Sequence, residues 1–277
     1  MSRSELLDRR LRRGRSILVT PAHDAGRLAV ALASPADFVV ADLEDTVPLR
    51  YKARAREVVA ELLTKPAATS LRMLRVNSGE AALAEDIAIA RTLALDALVV
   101  PKATPELLGS TDWPLPVMAL VESATGLRHA YEIACHPAVV ALMLGAADLG
   151  AELGLIPRRD GGELSHARST LVVDSAAAGL RPPFDGVFRD TSDEPGLLEA
   201  AHLVRSMGMG GKICLDPVQV ALINQAFTPT AAELDWARQI ADAAANADAA
   251  GEAQVHESIV DQPLLVRAQT LLAQASL

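Results

Sequence analysis

Short, nearly continuous apolar runs recur along the chain and alternate with longer stretches in which apolar residues return at helical spacing. The runs are Ile17–Thr20, Phe38–Ala41, Met73–Val76, Ala97–Val100, Val117–Val121, Val139–Leu144, Phe184–Phe188 and Ile213–Leu215. Runs without polar alternation predict parallel strands covered on both faces. Between them, Tyr51–Leu63 and Ala81–Leu95 carry helical periodicity. Glu163–Gly179 follows paired glycines and ends at another. Glu194–Met207 has Pro195 in its first turn and Gly208 beyond its end. Both patterns are ordinary helix boundaries. Eightfold alternation of strand and helix predicts the α/β class and a (β/α)8 TIM barrel rather than an open doubly wound sheet. Helices near Ala231–Ala249 and over Pro263–Ala275 follow the eighth run. The expected division is a barrel over 1–229 and a C-terminal helical extension, or lid, over 230–277.

Composition agrees with that picture. The 277 residues suit a single α/β barrel of about 250 residues plus an appendage. Half the residues are hydrophobic and only 3% are aromatic, so Ala, Val, Leu and Ile must fill the core. A net charge of -9 argues against nucleic acid or an anionic membrane as a partner. Cys135 and Cys214 have no metal-type or redox-type spacing and sit in apolar sequence. They read as reduced core thiols. Arg3, Arg9, Arg10, Arg12 and Arg13 precede no segment of signal-peptide type, and Leu93–Val100 is short and interrupted by Asp96. A cytoplasmic protein is expected.

Barrels of this kind gather reactive groups at the C-terminal ends of their strands. The second run leads into Asp42-Leu43-Glu44-Asp45. Such acids repel unless cations compensate them, although a helix N-terminus also favours them. The third run contains Arg75, which either lies against the helix layer paired with an acid or reaches the mouth, where its planar fork suits an oxyanion. The fourth run ends at Pro101-Lys102, a possible site cation or a solvated lysine. The fifth ends at Glu122 and the sixth at Gly145-Ala146-Ala147-Asp148. Adjacent parallel strands bring Glu122 and Asp148 together, and two carboxylates suit Mg2+, which keeps positions open for substrate oxygens. The competing reading is one capping acid and one surface acid. Small residues before Asp148 leave backbone N–H groups approachable by a substrate carboxylate. The six histidines show no paired ligand spacing, and no serine-nucleophile, Walker or dinucleotide-binding motif is present.

These pieces, in order, resemble the citrate lyase β-subunit-like family of the HpcH/HpaI aldolase superfamily. The resemblance rests on Arg15-Ser16-Ile17-Leu18, Asp42-Leu43-Glu44-Asp45-Thr46-Val47-Pro48, Arg75-Val76-Asn77 and Val100-Pro101-Lys102. It continues with Val121-Glu122-Ser123-Ala124-Thr125-Gly126, Gly145-Ala146-Ala147-Asp148-Leu149, Gly211-Lys212-Ile213-Cys214 and Asp216-Pro217-Val218-Gln219. It implies Glu122 and Asp148 as magnesium ligands and Arg75 as the group that meets developing charge. Glu44 and Asp45 become acids that orient the arginine and hold water. Gly145, Ala146 and Ala147 contact substrate, and Lys52 and Arg54 meet coenzyme A phosphates. The segment Ser258–Leu265 is similar to the lid of malyl-CoA and citramalyl-CoA lyases. There an aspartate, matched by Asp261, reaches a neighbouring subunit's site as acid/base, which implies a homo-oligomer, a trimer or hexamer. Asp261 is also well placed to cap the helix beginning near Pro263. Two departures stand out: Asp216 replaces a usual histidine, and the segment 251–257 is short.

The resemblance implies a carbon–carbon lyase that cleaves a 3-hydroxyacyl-CoA to acetyl-CoA and a 2-keto acid. The alternatives are a citrate lyase β subunit acting on an acyl-carrier-protein thioester, a malyl-CoA thioesterase, and a catalytically silent partner protein.

Overall fold

The computed structural model describes residues 10–65, 70–246, 254–255 and 258–275. Eight parallel strands close in sequence order into one barrel. They are β1 (Ser16–Pro21), β2 (Phe38–Asp42), β3 (Leu71–Arg75), β4 (Ala97–Val100), β5 (Val117–Val121), β6 (Val139–Leu144), β7 (Phe184–Asp185) and β8 (Gly211–Cys214). All eight expected runs hold a strand. β3 starts earlier than the apolar run and stops before Val76, and β7 is far shorter than Phe184–Phe188.

Alternation along each strand divides the core into two shells. One set packs inside the barrel: Ile17 and Val19, Phe38 and Val40, Leu71 and Met73, Met118 and Leu120, Ala141 and Met143 among it. The other set, including Val39, Ala41, Leu74, Val76, Ala119, Val121, Leu142 and Leu144, packs with residues of the helix layer such as Val58 and Leu171. A register shift between β5 and β6 leaves Val140 without a partner, pairs Met118 with Ala141 and carries the pairing on to Val121 and Leu144. Continuing the inner series past the apolar residues gives Asp42 on β2, Arg75 on β3 and, one residue beyond β5, Glu122. Parity thus aims these polar groups over the mouth.

At the opposite end, Phe38 and Phe184 meet edge to face with centroids 5.3 Å apart. Arg181 lies over the Phe184 ring at 3.8 Å from its centroid. Gly14 is required there, because a Cβ would come within 1.7 Å of the Phe38 ring.

The chain divides into two compact units, Met1–Phe227 and Thr228–Leu277. In the second, the helix Ala231–Ala245 opens with a capping box of Thr230 and Glu233. Its Ala237 and Ile240 pack with Ala268 of the helix Gln262–Ala275, and Arg267 lies 5.1 Å over the Trp236 ring. A two-residue antiparallel pair joins Gln254–Val255 to Ser258–Ile259. Residues 247–253 and 256–257, and with them most of the short segment before Asp261, lie outside the described residues.

One sequence expectation is corrected. Cys214 is buried, and that burial pushes its thiol up to about 12, but Cys135 is exposed. Apolar neighbours in sequence do not put a residue on the buried face of its helix, and Cys135 follows the last turn of Ala130–Ala134. No described helix is long and apolar enough to cross a membrane.

Candidate active site

The mouth is organised around Asp42, fully buried at the end of β2. Its carboxylate accepts two parallel bonds from Arg75, Nε to Oδ1 at 2.6 Å and Nη2 to Oδ2 at 2.6 Å. It also accepts the N–H groups of Glu44 at 2.8 Å and Thr46 at 2.9 Å, which folds the acidic turn back over the strand. Burial alone would raise Asp42, but the guanidinium, the Thr46 hydroxyl and the Glu44 N–H outweigh it and hold the group below its ordinary value. Burial works against Arg75 too, yet its bonds to Asp42 and the nearby Glu44 and Asp45 raise it. The Nη1 atom lies 3.4 Å from Glu44 Oε2 and 4.0 Å from Asp45 Oδ2. Arg75 therefore reaches the mouth and is paired with an acid there. The acid that grips it is Asp42, while Glu44 and Asp45, expected to orient it, are looser neighbours. Residue order alone did not single out Asp42; its shared parity with Phe38 and Val40 is the signal that does.

Glu122 is 4% exposed. Its Oε1 accepts the backbone N–H of Lys102 at 2.8 Å. Lys102 sits at φ 49, in the left-handed region, a cost that non-glycine residues bear mainly where surroundings impose it. Its ammonium, half exposed, is 3.8 Å from Glu44 Oε1. Burial pushes Glu122 up to about 8; the Lys102 N–H opposes this, and Asp148 and Glu44 add to it. Burial likewise pushes Glu44 up to about 7, with Arg75 opposing and Asp45 and Asp42 adding. Counted by residue, the acids here, Asp42, Glu44, Asp45, Glu122 and Asp148, outnumber Arg75, Lys52 and Lys102.

Asp148 is exposed in the first turn of the helix Ala146–Glu152, which continues from β6. Gly145 makes the junction. Its N–H is engaged by Val121 O at 2.9 Å, so its contribution is space. A Cβ there would lie 2.1 Å from Glu122 Cβ and 2.6 Å from Glu122 Oε2. Ala146 and Ala147 present the helix's first N–H groups beside the acids. Among the described residues no three His, Cys, Asp or Glu side chains converge as a ready-made metal cage.

Lys52 is half-buried and fixed against the acidic turn. Its Nζ donates to Leu43 O at 2.6 Å, Glu44 O at 2.7 Å and Asn77 Oδ1 at 2.7 Å, which clamps the acidic turn. Asn77 is in turn held by the buried Asp86 at 2.7 Å, and Asp86 by Arg56 at 2.7 Å. This chain of contacts joins residues distant in sequence and has no local signature. Arg54 is exposed and pairs only with Glu57, at 3.0 Å, among the described residues. Asp216 accepts the Val218 N–H at 3.0 Å, at the start of the helix Val218–Phe227. Asp261 is exposed in the second unit, where Oδ1 accepts the Leu264 N–H at 2.9 Å, the capping geometry expected of it.

A closed barrel that sets carboxylates and a gripped arginine at the C-terminal ends of its strands has the arrangement of (β/α)8 barrel enzymes. Residues 15–217 match the family described as HpcH/HpaI aldolase/citrate lyase, and the chain belongs to that family. It is 34% identical over 264 residues to the citrate lyase subunit beta-like protein of Mycobacterium tuberculosis, covering 93% of this chain and 94% of that one. It is 31% identical over 269 residues to the (3S)-malyl-CoA thioesterase of Cereibacter sphaeroides, covering 94% of each. A crystal structure of CitE from Mycobacterium tuberculosis in complex with magnesium, acetoacetate and coenzyme A superposes with a TM-score of 0.84 at 33% identity, covering 95% of this chain and 98% of that one.

Proposed function

We propose that the chain is a magnesium-dependent carbon–carbon lyase that cleaves a 3-hydroxyacyl-CoA of the citramalyl or malyl type to acetyl-CoA and a 2-keto acid. The observation that carries this reading is that Glu122, buried one residue past β5, and Asp148, exposed in the first turn after the neighbouring β6, stand at one mouth with Arg75. Such a pair fits magnesium, which takes one or two protein carboxylates and leaves room for substrate oxygens. When bound, the cation acts as a Lewis acid on the substrate's carboxylate and hydroxyl oxygens. The similar CitE crystallised with magnesium, acetoacetate and coenzyme A supports the ligand class.

The chain's own residues then divide the work. The N–H groups of Ala146 and Ala147 orient the substrate carboxylate, with Gly145 leaving space for it. Arg75, held rigid by Asp42, faces the oxyanion that develops; Glu44 and Asp45 keep its free edge turned to the mouth. As the hydroxyl passes its proton to water held by Glu44 and Asp45 and becomes the keto oxygen, the bond between the carbinol carbon and the thioester α-carbon breaks. Its electron pair passes to the thioester enolate. Asp261, delivered by a second copy of the chain, protonates that carbon and yields acetyl-CoA; this role requires a homo-oligomer, for which the reading adopts a trimer or hexamer. Of the two cations assigned to coenzyme A, Arg54 is accessible to a phosphate, and Lys52 supports the site as the clamp of the acidic turn.

A second reading is favoured by the 31% identity to a protein named a thioesterase: the same site would cut the thioester. Products separate the two. With magnesium and a panel of hydroxyacyl-CoA thioesters, equimolar acetyl-CoA and keto acid are expected. Free hydroxy acid and coenzyme A would mean the hydrolase instead. The Asp261→Asn variant is expected to bind substrate yet fail to exchange the α-protons of acetyl-CoA.

A further inference from the structure

The barrel wall is thinnest at β7, two residues long and paired to β6 only through Met143 and Phe184. Beside it opens a cavity of about 630 Å³. Ala146 and Ala147 line its near side, so it adjoins the candidate active site, although Arg75, Glu122 and Asp148 are not among its lining residues.

Arg168 and Lys212 lie in its wall, 5% and 2% exposed. A single carboxylate serves both: Asp185 Oδ1 accepts Arg168 Nε at 2.7 Å, and Oδ2 accepts Lys212 Nζ. Arg168 also donates to Gly161 O, and the lining carries Glu163 and Asp190 as well, but Asp185 is the one carboxylate that pairs with these two buried cations among the described residues. Among the described residues Asp185 is the only acceptor that meets Lys212 Nζ, so the ammonium keeps donors for another oxygen. A third cation, Arg189, stands exposed on the rim without an ion pair among the described residues. Its neighbours on the rim differ: Arg158 is paired with Asp160 at 2.9 Å and Arg159 with Asp193 at 3.1 Å.

We propose that this cavity, beside the mouth, binds a small oxyanion, a carboxylate or phosphate group held by Lys212, Arg168 and Arg189. An ammonium supplies a point charge and guanidinium groups supply paired donors, a combination that suits tetrahedral and planar oxyanions alike. The site needs neither the metal nor Glu122. The anion is either the remote carboxylate of a ligand seated at the mouth or a free phosphate.

The test is calorimetric titration of the full chain with inorganic phosphate and, separately, with succinate, in chelator without magnesium. One bound oxyanion per chain is expected. Lys212→Met leaves the neutral pair of Arg168 and Asp185 intact and is expected to weaken binding by on the order of tenfold or more. Arg189→Ala, at the surface, is expected to weaken it several-fold, and Glu122→Gln to leave it unchanged. Tighter phosphate binding would assign the site to phosphate, and tighter succinate binding to a ligand carboxylate. Absence of binding by both anions overturns the proposal. So does binding that survives both cationic variants, or binding lost with Glu122→Gln, which would put the anion at the mouth. Should Lys212→Met fail to fold, Arg189→Ala decides by the same criterion.

Discussion

Both ends of the barrel bury an arginine, and they treat it in opposite ways. At the floor, Arg181 is surrounded by backbone carbonyls: it donates to Leu11 O, Gly14 O at 3.0 Å, Pro182 O at 3.0 Å and Gly210 O at 3.2 Å. No carboxylate forms an ion pair with it among the described residues, and burial pushes it down to about 9. At the mouth, Arg75 is gripped by one carboxylate and flanked by two more, and their bonds and charge raise it despite burial. The floor is neutralised by dipoles and closed by two aromatic rings. The mouth gathers Asp42, Glu44, Asp45, Glu122 and Asp148 around Arg75 and Lys102, and burial, with neighbouring carboxylates adding to it, pushes Glu44 and Glu122 up to about 7 and about 8. Polar groups at the floor are satisfied internally and serve the fold; those at the mouth call for a cation and a ligand.

The contrast is broken most severely at Arg75. Arg75→Lys keeps the charge but loses the paired donors, and is expected to reduce turnover by about 10²–10³ with an unchanged circular dichroism spectrum. A lysine variant with parental turnover would make Arg75 a purely structural partner of Asp42.

Asp42 comes next. Replacing it with Asn leaves Arg75 buried without its bidentate acceptor and is expected to cost roughly 3 kcal/mol near neutral pH. The sign of the pH dependence follows from the lowered Asp42 value. Its contribution is present above the ordinary carboxylate value of 3.8 and is lost as pH falls through the lower folded value. The stability gap between parent and Asp42→Asn, read by urea unfolding, should therefore close in acid; a gap constant from neutral to strongly acid pH would contradict the assignment.

A smaller effect is expected at the floor. Arg181→Met leaves carbonyls without donors, for a loss of about 1–3 kcal/mol and no change in turnover of the folded protein. Lost activity without lost stability would erase the distinction between the two ends.

Much of this arrangement is visible in the sequence. Eight apolar runs mark the barrel because parallel strands are covered on both faces, and the positions of Arg75 and Glu122 at strand ends follow from the same runs; Asp148, expected to end the sixth run, lies beyond β6 in the first turn of a helix. Strand limits are less visible. The apolar run after Phe184 continues, but Asp185 is drawn into a buried ion cluster and the chain turns at Gly186, where a Cβ would meet Ala146 Cβ at 2.4 Å. The role of Asp42 is hidden because three acids in one short stretch look equivalent until parity separates them. The Lys52 clamp is invisible because all three of its acceptors are set by tertiary structure. Cys135 misleads because its apolar neighbours face inward while it faces out.

The central claim is that the surplus carboxylates of the mouth hold a divalent cation. Calorimetric titration of magnesium into the chain, with the candidate product pyruvate or glyoxylate present, tests it most directly. The account predicts one site per chain in the parent and in Arg181→Met, and none in Glu122→Gln or Asp148→Asn. Undiminished magnesium binding by Glu122→Gln and Asp148→Asn would contradict it.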